Sequence, residues 1–275
     1  MLTDYHVHLR PDDYDAPPER FFTAQNAERY RAAAAERGIG ELGISEHIHR
    51  FTASLDVWDH EWWRRNAKDD IDEYVAFLRA EDLRVGIEAD LVRGREEQTA
   101  TLLDARKWDY VVGSVHFLQD QAVDMRGMEW DIWESADPDE VWTRYFEALG
   151  HAASTGMFDI LAHPDLVKVW GKGAPRPAGD LRRFYELAMP AIESADIAIE
   201  VSTAGLRKPV GEIYPDAEFL RMCLAVGKPV ALSSDAHVPE DLGHGYDRAV
   251  AFLRENGVEE LATFTARERT MVPLA

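Results

Sequence analysis

A single cysteine in 275 residues excludes an internal disulfide. Cys223 sits in the helical pattern Ala217-Glu218-Phe219-Leu220-Arg221-Met222-Cys223-Leu224, where a buried thiol is expected. No apolar run reaches the length of a membrane span, and the opening Met1-Leu2-Thr3-Asp4 has neither the basic nor the apolar region of a secretion signal. A soluble, cytoplasmic protein with no membrane partner is the expectation. Basic residues are few, 30 against 51 acidic, and the net charge of −21 repels a phosphate backbone, which argues against nucleic acid as the main partner. An anionic small substrate therefore needs a local positive site. There is no repeat of fixed period, no low-complexity tract beyond the alanines at 32–35, and no Ser/Gly-rich linker. With 46% hydrophobic residues, the chain is expected to form a single domain over residues 1–275.

What is present is a recurring unit of strand, loop and helix. Asp4-Tyr5-His6-Val7-His8 reads as a strand, and alternation along a strand turns His6 and His8 to one face and Tyr5 and Val7 to the other. A Pro/Asp-rich connection leads to a helix over about residues 19–37, stopped by Gly38. Residues 39–47 form a second buried strand ending in Glu46-His47, and residues 70–78 carry apolar positions at helical spacing. In the third strand, residues 83–90, the period of two puts Gly86, Glu88 and Asp90 on one face. A helix near 96–107 precedes a strand over 110–116 that closes on His116. Residues 119–138, with Met125, Met128, Trp130 and Trp133, lack a period and read as a long loop before a helix from 138 to about 155. The fifth strand, 158–165, stops at Pro164 directly after His163. Residues 171–179 read as a lid or connector, 181–195 as a helix, 197–202 and 229–235 as strands, and 246–275 as one or two further helical stretches. Seven strands alternating with helices predict a parallel barrel whose strand C-termini meet on one face.

Those strand ends carry His6, His8, His47, Glu88, His116, His163, Asp235 and His237. Mixed imidazole and carboxylate ligands suit zinc, iron(II) or manganese, and can hold two or three divalent ions if a carboxylate bridges; Glu88 is the bridging candidate. His49, His60, His151 and His244 fall in loops or helices and read as solvated or hydrogen-bonded.

The segments DYHVH, SEH, GIEAD, VVGSVH, AHPD and SSDAH, in that order from residue 4 to residue 237, resemble the successive motifs of the PHP (polymerase and histidinol phosphatase) superfamily. Ser202-Thr203-Ala204-Gly205-Leu206-Arg207-Lys208, Glu212-Ile213-Tyr214-Pro215 and His163-Pro164-Asp165-Leu166 are most similar to its histidinol-phosphatases. The resemblance implies a distorted (βα)7 TIM-like barrel with a di- or trinuclear centre that hydrolyses a phosphomonoester. L-histidinol phosphate is the leading substrate, giving L-histidinol and phosphate in histidine biosynthesis. By motif position it implies one ion on His6, His8, Glu88 and Asp235, a second on Glu88, His116 and His163, and a third on His47 and His237. Related proteins often add a ligand from the loop after the first His-x-His; here residues 9–14 hold no histidine, and Asp12 or Asp13 is the candidate replacement.

The chemistry matches this set, because a metal-bound water, its pKa lowered from about 15.7 towards about 7, supplies a nucleophile at neutral pH. Arg207 could fork two phosphate oxygens, with Lys208 and Lys168 as further substrate-binding candidates. Asp235 or His237 is expected to protonate the leaving oxygen. Acidic walls suit the ammonium and imidazole end of histidinol phosphate, and Trp58, Trp62, Trp130 and Trp133 could line such a pocket or simply pack. Three other functions compete: a PHP phosphoesterase acting on a mononucleotide, a metal-dependent amidohydrolase, which commonly bridges its ions with a modified lysine where this chain offers Glu88, and a metal-binding module without catalysis.

Overall fold

The computed structural model describes residues 1–11 and 21–275. Strand β1 (Leu2–Asp4) is followed by α1 (Ala24–Glu36), which begins where the Thr23 side chain accepts the Asn26 N–H and ends before Gly38 at φ +68°. Then come β2 (Ile39–Ile44), the short α2 (Glu61–Asn66), and α3 (Ile71–Ala80), capped by Asp70. Next are β3 (Arg84–Asp90), α4 (Glu96–Asp104), β4 (Tyr110–Ser114) and a small hairpin of β5 (Phe117–Leu118) and β6 (Gln121–Ala122). The long α5 (Pro138–Ser154) has Asp137 as its cap and proline in its first turn, which needs no amide donor there. After it come β7 (Ile160–Leu161), α6 (Arg182–Ser194), β8 (Ala198–Ser202), α7 (Ala217–Ala225), β9 (Val230–Ser233) and α8 (Tyr246–Glu255). The chain finishes on the hairpin β10 (Glu260–Thr265) and β11 (Glu268–Pro273).

Seven strands make one parallel sheet in chain order, β1-β2-β3-β4-β7-β8-β9. Its two edges meet. Thr3 Oγ1 donates to Leu232 O (3.3 Å), Ser234 N donates to Asp4 Oδ1 (2.9 Å), and past the regular strands Val7 bridges Ala236 while His8 N donates to Ala236 O (2.8 Å). The result is a nearly closed, distorted (βα)7 TIM-like barrel, so seven strand ends open onto one face. No helix among the described residues is long and apolar enough to cross a membrane.

The barrel interior is filled rather than hollow. Tyr5, Tyr110, Val112, Ile160, Ala198 and Ala231 form an inner cluster that β10 plugs with Ala262 and Phe264; Tyr5 meets Tyr110 and Phe264 edge-on, at 4.9 and 5.6 Å between ring centroids. Glycine makes room for this cluster: a Cβ on Gly86 would stand 2.2 Å from the Tyr110 ring, and one on Gly43 2.4 Å from its hydroxyl.

Two expectations need correction. β1 ends at Asp4, and Tyr5 enters the inner cluster while Val7 joins the outer core, because past Asp4 the regular ladder gives way to a single bridge between Val7 and Ala236. Of the one or two helical stretches expected over 246–275, one is present as α8, and residues 260–273 form a hairpin instead of a second. Its turn places Ala266 and Arg267 at φ +50° and +64° without the Asn-Gly pair that usually announces such a turn. Asp109 compensates, accepting from Arg267 N through its carbonyl (2.9 Å) and from Ala266 N through Oδ1 (3.1 Å). The 119–138 loop carries β6 and one turn of 3-10 helix but is otherwise irregular, as expected.

Replacing Gly86 with Ala should destabilise the fold by about 1–3 kcal/mol through overpacking against Tyr110, read as a lower urea midpoint with an unchanged slope. Burial pushes the Cys223 thiol up to about 12. An aromatic disulfide reagent at about pH 8 should therefore leave the native protein unmodified and label one thiol per chain once it is denatured.

Candidate metal centre

The eight predicted strand-end residues converge at the open face, and Glu88 lies at their middle. Its carboxylate is fully buried, with His47 Nδ1 at 2.5 Å, His6 Nε2 at 3.2 Å, His163 Nε2 at 3.3 Å, His116 Nε2 at 3.4 Å and His8 Nε2 at 3.6 Å. Asp235 Oδ1 stands 3.4 Å from His8 Nε2 and 3.7 Å from His6 Nε2, and His237 Nε2 lies 3.4 Å from His47 Nε2. Three groups bring ligand atoms within 4.8 Å of one another: His6, His8 and Asp235; His6, Glu88 and His163; His8, His47 and His237. Asp12 and Asp13 lie outside the described residues.

The donor set fits divalent ions. Among the described residues, His6 Nε2, His8 Nε2, His47 Nδ1, Glu88 Oε2 and Asp235 Oδ1 are buried without a hydrogen-bond partner, although they face one another at short range. Orphaned polar atoms are expensive in a protein interior, and several that converge on common points are the arrangement a cation satisfies. The electrostatics agree. Burial opposes ionisation of Glu88, yet the imidazoles of His47, His6 and His116 outweigh it and hold the carboxyl well below its ordinary range. Burial likewise pulls His6 down, but Glu88, Glu200 and Asp235 overcome it and raise the imidazole well above its usual value. Such a cluster holds negative charge that a divalent cation neutralises by displacing protons.

A second ring of carboxylates aims the imidazoles. His6 Nδ1 donates to Glu200 Oε1 (2.9 Å), and Glu200 also accepts from His163 N and Ser233 Oγ (2.5 Å each). His116 Nδ1 donates to Asp90 Oδ1 (2.7 Å); against the downward pull of burial, Asp90 and Glu88 push His116 up to about 10. Glu46 Oε2 lies 3.7 Å from His8 Nδ1, while Oε1 accepts from Leu9 N (2.7 Å) and Arg10 N (3.1 Å), and Arg50 pairs with the same carboxylate. These partners fix the nitrogen that each histidine presents inward. None of the three was among the predicted site residues. The available signal is a carboxylate in each of these strands: Glu46 beside the terminal histidine of 39–47, Asp90 ending 83–90, and Glu200 inside Ile199-Glu200-Val201.

A cavity opens over the cluster, lined by His47, His49, His116, His163, Asp235 and His237, by Asp124, Met125 and Lys208, and by Trp62, Phe117 and Trp170. Lys208 is the one lysine or arginine among these lining residues. Arg207 is not among them, but its Nη1 is buried and, among the described residues, has no hydrogen-bond partner. Its Nη2 donates to Ser234 O and Asp235 O (2.9 Å each) and its Nε pairs with Asp241 (3.3 Å), which steadies Asp235 at φ +51°. Lys168 does not line the cavity: it is buried against Asp165 (2.9 Å), and it donates to Ile213 O (3.0 Å). His49, read as hydrogen-bonded or solvated, is buried in the cavity wall with Nδ1 4.0 Å from Asp90 and its ring stacked on His47. Of the four tryptophans, Trp62 lines the cavity, Trp58 and Trp130 pack around His60, and Trp133 donates to Val123 O.

A parallel α/β barrel with a cluster of histidines and carboxylates at its strand ends defines a class of multinuclear metal hydrolases. The PHP domain matches residues 21–204, and the chain belongs to that family, within its histidinol-phosphatases. It is 32% identical over 252 residues, 89% of this chain and 91% of the other, to the "Probable histidinol-phosphatase" of Deinococcus radiodurans. It is 25% identical over 247 residues, 82% of this chain and 91% of the other, to the histidinol-phosphatase of Bacillus subtilis. The fold matches the crystal structure of histidinol phosphate phosphatase from Lactococcus lactis with a TM-score of 0.74 and 19% identity, covering 98% of this chain and all of that one; that protein was solved with zinc, L-histidinol and phosphate.

Glu200→Gln should keep the fold but release the orientation of His6 and His163. The expected outcome is a fall of about 10- to 100-fold in metal affinity, measured by competition with a chromophoric chelator.

Proposed function

We propose that the chain is a single-domain, cytoplasmic, metal-dependent phosphatase of residues 1–275 that hydrolyses L-histidinol phosphate to L-histidinol and phosphate, a step of histidine biosynthesis. The observation that carries this reading is the convergence of buried, partnerless ligand atoms on Glu88 beneath a cavity whose wall includes Lys208. Similarity to histidinol-phosphatases over most of the chain supports the substrate.

Two or three divalent ions, of zinc, manganese or iron, are assigned to the three groups. His6, His8 and Asp235 hold one, Glu88 with His163 and His116 another, and His47 with His237 the third, where His8 also comes within reach. When bound, they supply an activated water and charge neutralisation for phosphate. The remaining work falls to the chain. Lys208 brings a cation to the cavity for a phosphate oxygen, and Arg207, held at Nη2 by the carbonyls of Ser234 and Asp235, has in Nη1, unpartnered among the described residues, a further donor for phosphate. As water attacks phosphorus and the bond to the ester oxygen breaks, the leaving alkoxide needs a proton, and of the two candidates lining the cavity His237 suits the role. Burial would raise the Asp235 carboxyl, but the imidazoles of His6, His8 and His237 outweigh it and hold that carboxyl well below its ordinary range, with no proton to give. Trp62, Phe117 and Trp170 give the cavity an aromatic wall.

Phosphate release by metal-loaded protein should favour L-histidinol phosphate over a mononucleotide and p-nitrophenyl phosphate by orders of magnitude, and His8→Ala should abolish turnover of all three. Equal, slow hydrolysis of the three would refute the substrate; no hydrolysis at all would refute the enzyme and leave a metal-binding module.

A further inference from the structure

The excursion between β4 and α5 brings a carboxylate into the cavity wall, where it faces the charges of His116 and Lys208. After β6, Val123 N donates to His116 O (2.9 Å), and Val123 O accepts two indole N–H groups, from Trp133 (2.8 Å) and Trp170 (2.9 Å). Behind it, Asp131 closes the turn by accepting from Gly127 N (2.7 Å) and Trp133 N (2.8 Å). Two tryptophans and a backbone bond to a residue of the metal cluster thus hold the Val123 backbone on both sides of its Cα, and the next residue, Asp124, lines the cavity. Its Oδ1 is buried and, among the described residues, has no hydrogen-bond partner. Leaving a carboxylate oxygen in that state is costly unless a ligand completes it. Lys208 lines the same cavity, so the wall offers a cation and an anion to one small molecule.

Resting on the phosphatase reading above, we propose that Asp124 is the specificity residue for the cationic end of the substrate, binding the ammonium of a phosphorylated amino alcohol. The metal cluster and Lys208 take the phosphate end, and Asp124 takes the amine. A polyanion or a simple aryl phosphate has nothing to offer this carboxylate, so the site selects a ligand carrying both charges in an acidic protein.

The test pairs L-histidinol phosphate with its deamino analogue, 3-(imidazol-4-yl)propyl phosphate, and with p-nitrophenyl phosphate. Wild-type protein should favour the amine-bearing substrate over the deamino analogue by about 10- to 100-fold in kcat/KM, the scale of one charge-assisted hydrogen bond. Asp124→Asn, which keeps the side-chain shape, should erase most of that preference through KM, leaving kcat, both amine-free substrates and the metal content per chain within about 2-fold. Asp124→Glu should retain part of the preference. Loss of bound metal, or an equal loss on all three substrates, would overturn the assignment by giving Asp124 a ligating or structural role. A wild-type preference that survives Asp124→Asn overturns the assignment alone, whereas wild-type protein with no preference for L-histidinol phosphate over p-nitrophenyl phosphate overturns the substrate reading and the assignment together.

Discussion

A carboxylate at the centre of a barrel stays ionised only if positive charge surrounds it, and Glu88 is in that position. Five histidine nitrogens lie between 2.5 and 3.6 Å of its oxygens, from chain segments as distant as His6 and His163. Removing the imidazoles would leave a bare buried anion, while removing Glu88 would leave crowded imidazoles with no charge to hold them. β3 supplies this centre through its period of two: Gly86 yields its space to Tyr110, Glu88 faces the imidazoles, and Asp90 orients His116. One strand face thus packs the barrel floor, builds the site and aims one of its ligands.

Orientation is the second constraint, because an imidazole useful to a cation must present the correct nitrogen. Glu200, Asp90 and Glu46 do this for His6, His116 and His8, and two of them are themselves tied down: Glu200 by His163 N and Ser233, Glu46 by two backbone amides and Arg50. Burial tends to raise the Glu46 and Asp90 carboxyls, but Arg50 and His8 for the first, and His116 and His49 for the second, hold them well below the ordinary carboxylate range. The outer acids remain acceptors, and the ring hydrogens of their histidines stay turned outward.

The seven strands and the residues at their ends were legible because six of the seven apolar runs carried a ligand-type side chain at or near the end, and barrel topology then forces those ends together. The outer acids were not singled out: Glu46 is a neighbour of a more conspicuous histidine, and Glu200 lies inside a strand, where only the partners facing it reveal its role. The partners of the cations that follow the strands were equally hidden: Lys168 pairs with the buried Asp165, and Arg207 gives Nη2 to the carbonyls of Ser234 and Asp235 while its Nη1 has no partner among the described residues. The C-terminal hairpin was illegible because its turn uses Ala266 and Arg267, whose left-handed backbone is sustained by Asp109 from the barrel rather than by local preference.

The acidic balance of the chain then bears on selectivity rather than opposing phosphate. A net charge of −21 repels anions at long range, but salt screens that field within about 10 Å, and the cavity is governed by what lines it. There the imidazoles, Lys208 and any bound ions favour phosphate, while Asp124 and the surrounding acidic surface disfavour a second negative group. A long polyanion meets repulsion along its whole length, and a small phosphate ester meets it only on approach. The same distribution rewards a ligand that carries its own positive charge, since that end lowers the cost of crossing an acidic surface before the phosphate reaches the strand ends.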